Sequence, residues 1–324
     1  MNIKIGIVLV NWNASKNTIL ALTSVRQTNY TNLRIVVIDN KSSSYDITNL
    51  QAYLDKKIKL VINNKNYGLP YAVNKGIGYL LKDPAITHVL WLDSEGRLAK
   101  NFFQEVIPFI QKNKHLGMIA TKNIFKLGRD RLIASYGMYL SHSGYPNVVV
   151  HENEHISCPV GTVTIYKRET LELVKINNEF LASQFFLYAE DLDLGIRIQL
   201  AGYKWRLCKT AIVHHAGWSF SDKFSDKAAY YLHRNILWFT IRCFPNKVLL
   251  QNLIFILGAH LLSIGYYFIV KRKPMLILKA KYDSIRGLKQ AWKKRKLIQK
   301  KMRITNSEFE KKSCLLYTSD AADE

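Results

Sequence analysis

The sequence predicts an α/β fold with a mostly parallel central sheet flanked by helices. Four apolar runs in the N-terminal third each end at a polar residue: IGIVLV before Asn11, RIVVI before Asp39, KLVI before Asn63 and HVLWL before Asp93. Segments with apolar residues at helical spacing separate these runs. Because alternating strands and helices form crossover units, such strands run parallel and are covered on both faces.

The first helices are predicted from their apolar spacing and from one cap. Residues 18–25, 72–81 and 102–110 carry apolar side chains three and four positions apart, and Asn101 is placed to cap the third helix. The following stretch, 129–150, favours hairpins over the edge of the sheet.

The second half continues with strands and helices. In order, these are a strand at 157–166, a short helix at 168–174, an amphipathic helix at 191–200 and a strand at 205–213. Gly202 follows the helix at 191–200 and fits a C-cap, because glycine adopts the left-handed conformation without steric cost. His214 and His215 stand at the end of the last strand.

The polar residues at the strand ends predict a single ligand site. In open α/β sheets, ligands bind outside the carboxyl ends of the strands, because that edge gathers strand-end side chains and helix N-termini. Asn11, Asp39, Asn63 and Asp93 are expected to share this edge. The last of the four strands would then act as a rigid arm that places Asp93 and Glu95 beside the ligand.

Asp93, Ser94 and Glu95 form a D-x-E motif that predicts a divalent-cation site. Mg²⁺ and Mn²⁺ take oxygen ligands and keep positions for water and substrate phosphates. The small Ser94 side chain leaves room for a diphosphate to approach. Either His214 or His215 can add a nitrogen ligand to the same cation. The alternative interpretation of the motif is a polar surface turn.

A second acidic cluster, AEDLDL, follows the apolar stretch FFLY and opens a helix. Carboxylates are favoured at a helix N-terminus, so one interpretation is an N-capping turn. However, Glu190 and Asp191 follow a hydrophobic stretch, where a carboxylate can be held as a general base near neutral pH. They are therefore candidate catalytic residues.

Six motifs occur in order along the chain: VLVNWN at 8–13, VVIDNKSSSYD at 36–46, NNKNYGLPYAVNKGI at 63–77, WLDSE at 91–95, FFLYAEDLDLGIRIQLAGY at 185–203 and AIVHHAGWS at 211–219. Together they resemble a family 2 glycosyltransferase of GT-A fold, a nucleotide-diphospho-sugar transferase. Within that family, the resemblance is strongest to bacterial rhamnosyltransferase-like and galactofuranosyltransferase-like members. It covers about residues 1–244.

The resemblance implies a nucleotide site on six residues of the first half and on Asp93. Asp39 matches the residue that hydrogen-bonds the nucleotide base, and Val10 and Asn11 match the backbone that lines the base pocket. Asn66 and Gly68 match the loop that closes over the nucleotide, and Asn74 lies nearby in the same motif.

The resemblance also implies a metal site and a catalytic base. Asp93 and Glu95 occupy the metal and diphosphate position, and His214 aligns best with the metal-ligand histidine, with His215 as the reserve choice. Asp191 falls at the catalytic-base position and Glu190 supports it. Glu95 departs from the usual family pattern, which has aspartate there, and its side chain reaches one methylene further.

These roles imply an inverting glycosyltransferase. It would move a sugar from a nucleotide-diphosphate donor, dTDP-rhamnose or a UDP-hexose, to a saccharide acceptor, with Mg²⁺ or Mn²⁺ as the cofactor. The acceptor is expected to be lipid-linked, and the product would be a cell-surface polysaccharide.

The C-terminal region predicts a helical, membrane-associating appendage. The net charge is +23, and residues 271–303 hold 14 basic residues against the single acid Asp283. The apolar stretch 253–270 precedes this basic tail. We expect an apolar helix that lies against an anionic membrane surface, at the cytoplasmic face; a single membrane span and a buried core helix are the alternatives. A charged helix in solvent is the alternative for the tail.

The predicted domains are a transferase domain at 1–245, the helical appendage at 246–312 and a non-native segment at 313–324. The residues CLLYTSDAADE depart from the Lys-rich chain and back-translate into a sequencing-library adapter, so the natural C-terminus is expected to differ. Four cysteines without CxxC spacing suit a cytoplasmic protein.

Two other function classes fit parts of the sequence. The basic charge alone would suit a nucleic-acid-binding protein, but the charge lies beside an apolar segment and no aromatic-basic recognition motif occurs. The glutamate at position 95 would also fit a catalytically inactive, membrane-bound scaffold of the same fold. Hydrolysis of nucleotide sugars distinguishes an active enzyme from that scaffold.

Overall fold

The computed structural model describes residues 2–127, 131–151, 156–159, 161, 163–215 and 225–313. The predicted α/β architecture is confirmed: a nine-stranded, mostly parallel sheet has helices on both faces. The predicted non-native segment 313–324 lies outside the described residues apart from Ser313.

The strands follow the predicted order. Their bounds are β1 Ile5–Asn11, β2 Leu33–Asp39, β3 Ile58–Ile62, β4 His88–Leu92, β5 Gly96–Leu98, β6 Leu116–Leu127, β7 Arg131–Ser135, β8 Gly137–Leu140, β9 Pro146–Val149, β10 Val163–Lys167 and β11 Lys204–His215. The large sheet has the order β3-β2-β1-β4-β10-β6-β11-β5, with β7 paired to β6, and β8 and β9 form a separate hairpin.

Helices connect and cover these strands. Their bounds are α1 Ser15–Gln27, α2 Ser44–Tyr53, α3 Leu69–Leu80, α4 Phe102–Lys112, α5 Arg168–Val174, α6 Glu190–Leu200, α7 Asp226–Cys243, α8 Asn246–Gln251, α9 Leu253–Ile269, α10 Pro274–Arg286, α11 Leu288–Lys300 and α12 Asn306–Ser313. A short 3₁₀ turn spans Ser183–Phe185.

Alternation along the central strands builds a core on each face of the sheet. In β1, Ile5, Ile7 and Leu9 pack with α1 and α4 on one face. Val8 packs with α3 and α6 on the other. This burial on both faces explains why the strand is apolar throughout and stops at its polar last residue, Asn11.

Strands β1 to β4 run parallel, so their carboxyl ends meet at one edge. Strand β10 is antiparallel to both β4 and β6. It is shorter than the predicted strand 157–166, because Ser157 and Cys158 bond to Met138 of β8 instead. The short strand β5 pairs with the end of β11 and brings the D-x-E turn against the two histidines.

Local features at the helix ends agree in part with the sequence. Gly202 follows α6 with a φ of +89°, the left-handed conformation expected there. Asn101 precedes α4 as predicted, but its side chain makes no capping hydrogen bond.

The C-terminal helices pack on the transferase half of the chain. Ala291, Ile298 and Phe309 share a buried cluster with Leu192 and Ile196 of α6. The buried Arg295 guanidinium donates to the carbonyls of Ile241 and, at 2.6 Å, Phe244. The domain boundary at residue 245 remains a prediction, and apolar packing crosses it.

Helix α9 is not a core helix, because only Ile256 and Tyr267 of its residues are buried. Within the described part of the chain, no helix combines the length and apolar character needed to cross a bilayer.

Candidate active site

A cleft opens at the carboxyl ends of the parallel strands, where the sequence predicts a ligand. It encloses about 220 Å³. The structure brings four predicted residues to its wall: Val10, Asn66, Gly68 and Asp93. It adds residues that the sequence interpretation did not assign, among them Trp12, Asn40, Phe186, Leu187 and Lys227.

Asp39 and Asn11 lie beneath the cleft and do not line it. Both are fully buried. The Asp39 carboxylate accepts hydrogen bonds from Asn11 Nδ2 at 2.8 Å and from Ser42 Oγ at 2.6 Å. Its oxygens therefore hold the loop after β2, and direct contact between Asp39 and a nucleotide base stays a prediction.

Asn40, the next residue, is buried but contributes to the cleft wall. Its Nδ2 donates to Asn66 Oδ1 at 2.9 Å and to the Gly68 carbonyl at 3.1 Å. This amide bridges the loops after β2 and β3. Gly68 has a φ of +89°, and a Cβ there would lie 2.6 Å from the Phe186 carbonyl oxygen, so the position requires glycine.

Asn74 also has a role different from the predicted one. Its side chain donates to the Leu181 carbonyl at 2.8 Å and accepts from the backbone N–H groups of Phe180 and Leu181 at 3.0 and 2.8 Å. Since it is absent from the cleft wall, it acts by fixing the segment that leads towards Asp191.

The D-x-E motif lies beside His215, not His214. His215 Nε2 is 3.7 Å from Asp93 Oδ2, and its Nδ1 is 4.0 Å from Glu95 Oε2. His215 is buried, whereas His214 points away and is exposed. The choice of His214 as the ligand is therefore wrong in this geometry, and the reserve residue takes its place.

The charges at this turn act on one another. Burial raises the pKa of Asp93, but His215, the Glu95 backbone N–H and the Ser94 hydroxyl together leave that pKa below its ordinary value. Burial and the charge of Asp93 raise the pKa of Glu95. Arg97 donates to the Ser94 carbonyl at 2.7 Å and so holds the turn closed.

The residues present fit a divalent cation. Both ring nitrogens of His215 are buried without a hydrogen-bond partner, which is costly unless a ligand is received there. Two carboxylates and an imidazole form a ligand set that Mg²⁺ or Mn²⁺ accepts. Among the described residues, no three His, Cys, Asp or Glu side chains lie close enough together in this structure to hold a metal ion as they stand.

The second acidic cluster stands at the start of α6, behind a strained segment. Phe186, Tyr188 and Ala189 have φ values of +64°, +67° and +68°, which are unfavourable for residues with a Cβ. Phe186 and Leu187 line the cleft, so this segment links the cleft wall to Glu190 and Asp191.

Asn235 of α7 holds this segment in place. Its buried Nδ2 donates to the carbonyls of Phe185, Leu187 and Tyr188 at 2.9, 2.7 and 2.8 Å. Arg234 adds a bond of 2.7 Å to the Phe185 carbonyl. A polar residue within a helical apolar pattern is the only sequence signal for this function.

The two carboxylates of the cluster differ in their surroundings. Asp191 accepts from the backbone N–H groups of Gly161 at 3.0 Å and Leu192 at 2.8 Å, yet burial still raises its pKa. Glu190 is buried and its Oε2 has no partner. Burial, and then the charge of Asp191, raise the pKa of Glu190 to about 8.

The two acidic clusters lie near each other. The charge of Asp93 contributes to the raised pKa of Glu190. Burial raises the pKa of Tyr188, and the charges of Glu190, Asp93 and Glu95 raise it further. The cleft wall therefore joins a metal-binding type of motif to a pair of carboxyl groups suited to proton transfer.

The cleft wall also combines an aromatic ring with a cation. Trp12 is 47% exposed, and Lys227 Nζ lies 4.6 Å from the centroid of its ring. An exposed tryptophan in a cleft offers a flat apolar surface, and a lysine offers charge to a phosphate.

Comparison with known proteins agrees with this geometry. The model of the family "Glycosyl transferase family 2" matches residues 6–174, which is more than half of the chain. The chain belongs to glycosyl transferase family 2. Among curated relatives, the amylovoran biosynthesis glycosyltransferase AmsB of Erwinia amylovora is 23% identical over 214 residues, covering 63% of this chain and 66% of that protein.

Solved structures show the same GT-A transferase fold. S. aureus TarS 1–349 in complex with UDP-GlcNAc has a TM-score of 0.59 at 16% identity, covering 99% of this chain and 95% of that one. Mannosyltransferase PcManGT from Pyrobaculum calidifontis, in complex with GDP-Man and Mn²⁺, has a TM-score of 0.54 at 12% identity, with coverages of 97% and 86%. The aligned part spans 34% to 66% of the curated relatives' lengths.

Proposed function

We propose that this family 2 chain is an inverting glycosyltransferase that uses a nucleoside-diphosphate sugar. The observation that carries the proposal is one cleft whose wall contains Trp12, Asp93 and Lys227. Asp191 stands behind the same wall. The nucleotide base, the diphosphate and the acceptor hydroxyl each have a matching side chain at or behind this wall.

The donor would bind with its nucleotide along the first three strand ends. Trp12 offers a stacking surface for the base, and Asn66 contributes a polar side chain to the same cleft wall. Lys227 and the D-x-E turn flank the position for the diphosphate. Solved neighbours with UDP-GlcNAc and with GDP-Man support a nucleotide-sugar donor as a class. We retain dTDP-rhamnose and a UDP-hexose as candidates.

Asp191 would act as the general base. Its raised pKa and its two backbone hydrogen bonds keep an oriented carboxyl group that can accept the proton of an acceptor hydroxyl. As the hydroxyl oxygen attacks the anomeric carbon, the bond to the diphosphate breaks on the opposite face. The nucleoside diphosphate departs with that electron pair, and configuration inverts.

Asp93, Glu95 and His215 would hold a divalent cation. When bound, Mg²⁺ or Mn²⁺ offsets negative charge on the leaving diphosphate, which can contribute several kcal/mol. A neighbour solved with Mn²⁺ supports this class of cofactor. Lys227 supplies a further positive charge from the other side.

We further propose a saccharide acceptor that is lipid-linked, and a cytoplasmic location against an anionic membrane. The exposed apolar helix α9 and the basic tail support this placement. Similarity to an amylovoran biosynthesis enzyme supports polysaccharide synthesis.

The test is the variant Asp191→Asn with a panel of nucleotide sugars and either Mg²⁺ or Mn²⁺. We expect transfer to fall by a factor of at least about 10³ while calorimetry shows nucleotide affinity within a few-fold of wild type, because the amide cannot take the proton. Turnover equal to wild type would remove Asp191 as the base. Binding of no nucleotide sugar by the wild-type protein would overturn the proposal.

A further inference from the structure

Helix α10, which the sequence assigns to the basic tail, has a buried face and an exposed apolar face. Its buried residues are Ile277, Ala280 and Ser284. The opposite face carries large apolar side chains at helical spacing: Met275, Leu278, Tyr282 and Ile285 are 76%, 43%, 60% and 61% exposed. A helix whose only purpose is to carry charge in solvent has no need of this stripe.

Helix α9 packs beside α10 and is also exposed. Lys281 Nζ donates to His260 Nδ1 at 2.6 Å and ties the two helices together. The large exposed apolar residues of α9 are Leu253, Ile254, Phe255, Leu257, Leu261, Leu262, Tyr266, Phe268 and Ile269. We call these residues and the α10 stripe the apolar platform. Large exposed apolar surfaces often mark contact sites for a membrane or for another protein.

Basic residues flank the platform at both ends of α10. Lys271, Arg272 and Lys273 precede the helix. After it, a cavity of about 510 Å³ is lined by Asn177, Arg286, Lys289, Gln290, Lys293, Lys294 and Leu297. We call its four cationic residues the basic pocket. Within the described ranges, no ion pair joins these four side chains to a carboxylate.

We infer that the basic pocket binds the phosphate headgroup of an anionic phospholipid while the apolar platform enters the leaflet beside it. This inference rests on the proposed membrane partner and names its contact site. Charge complementarity supports a lipid occupant, because cations at an anionic surface gain about fivefold in affinity per charge, and apolar side chains beside them reach the acyl region. A nucleic acid would use the charge but leave the platform exposed to water.

The experiment is flotation of the full chain with vesicles of phosphatidylcholine alone or mixed with phosphatidylglycerol. The pocket variant is Lys289→Gln, Lys293→Gln and Lys294→Gln combined. Its matched control is Lys56→Gln, Lys57→Gln and Lys59→Gln, three exposed lysines of the same charge on the other half of the chain.

We expect wild type to float with the anionic vesicles, and the pocket variant to bind them about a hundredfold more weakly. The control variant should stay within about threefold of wild type if only nearby charges matter. Equal weakening of vesicle binding in both triple variants would overturn the assignment of the basic pocket as the lipid site, since any surface lysine would then serve.

The platform is tested by Leu278→Ser with Ile285→Ser, against Leu20→Ser with Ile62→Ser as the exposed apolar control. We expect the first pair alone to weaken vesicle binding, by at least about tenfold. If wild type binds duplex DNA and the pocket variant does not, while both bind vesicles equally, the basic pocket is a nucleic-acid site and the lipid inference is refuted.

Donor binding by the same proteins keeps the two proposals apart. If wild type binds a nucleotide sugar but does not float with anionic vesicles, the lipid inference fails and the transferase proposal stands. If no nucleotide sugar binds, the transferase proposal fails, whatever the vesicles show. None of the substituted residues lies on the cleft wall, so donor affinity should be unchanged in all four variants.

Discussion

The substitution Asn235→Ala tests whether the strained segment before α6 sets the catalytic geometry. The change removes the donor to three carbonyls, and Arg234 still serves the one at Phe185. The carbonyls of Leu187 and Tyr188 lose a buried hydrogen bond each. At about 1 to 2 kcal/mol per buried group left without its partner, the free energy of unfolding should fall by about 2 to 4 kcal/mol.

The kcat of Asn235→Ala should fall by more than its loss of unfolding free energy explains. Three residues with positive φ can relax towards ordinary backbone once the clamp is gone, because each stores about 1 to 3 kcal/mol of strain. A shift of about 1 Å at Asp191 would lower kcat about hundredfold. Donor affinity should fall only several-fold, since Phe186 and Leu187 form one part of the cleft wall.

The assay combines urea unfolding, kcat for transfer and donor affinity by calorimetry. Phe309→Ala is the matched control, because it removes a buried ring from α12 at a cost of about 3 to 5 kcal/mol without touching the cleft. Under conditions in which both variants are folded, only Asn235→Ala should lose kcat. A kcat equal to that of the control would refute the positioning argument.

Three other changes follow from the same geometry. His215→Ala should weaken Mn²⁺-dependent donor binding at least about tenfold, whereas His214→Ala should leave it unchanged; equal effects, measured by calorimetry with and without metal, would contradict the assigned ligand. Gly161→Ala should lower kcat, because a Cβ there would lie 2.2 Å from the Cβ of Asp191, and unaltered kinetics would show that the contact is not critical. Glu190→Gln should remove a pH dependence of stability. The pKa of Glu190 rises from 4.5 to about 8 on folding, so its contribution to the free energy of unfolding is full below about pH 4.5 and is lost as the pH rises through about 8. Urea unfolding of both proteins across this pH interval measures the difference. Parallel plots of unfolding free energy against pH for the two proteins would contradict the prediction.

The parallel strands were predictable because their signal is local. An apolar run buried on both faces and stopped by a polar residue marks β1, β2, β3 and β4 without reference to the rest of the chain. Helix α2 lacked such a signal, because only Asp46 and Leu50 of its residues are buried. The antiparallel insertion of β10 depends on pairing with distant strands, which no short window contains.

The cleft residues were predictable by region but not by individual side chain. Asp39 and Asn40 are both polar, adjacent and at a strand end. Which of them lines the cleft depends on a turn fixed by Asn11. Its Nδ2 donates to Asp39, Ser42 and Asp46, which lie 28, 31 and 35 positions away along the chain. Sequence reasoning assigned Asp39 to the site at this edge, whereas the structure puts its neighbour Asn40 on the cleft wall.

The choice between His214 and His215 also could not be predicted from the sequence, because it depends on a bulge in β11. Side chains alternate along a strand, so counting outward from the buried Cys208 would turn His214 inward and His215 outward. In the structure, Cys208 pairs with Thr121 but Ile212 pairs with Lys122, so β11 carries extra residues in between. The bulge reverses the alternation, as buried Ala211 and Val213 show. His215 thereby reaches Asp93 and Glu95, and the identity of the candidate metal ligand rests on a bulge that residue spacing alone does not reveal.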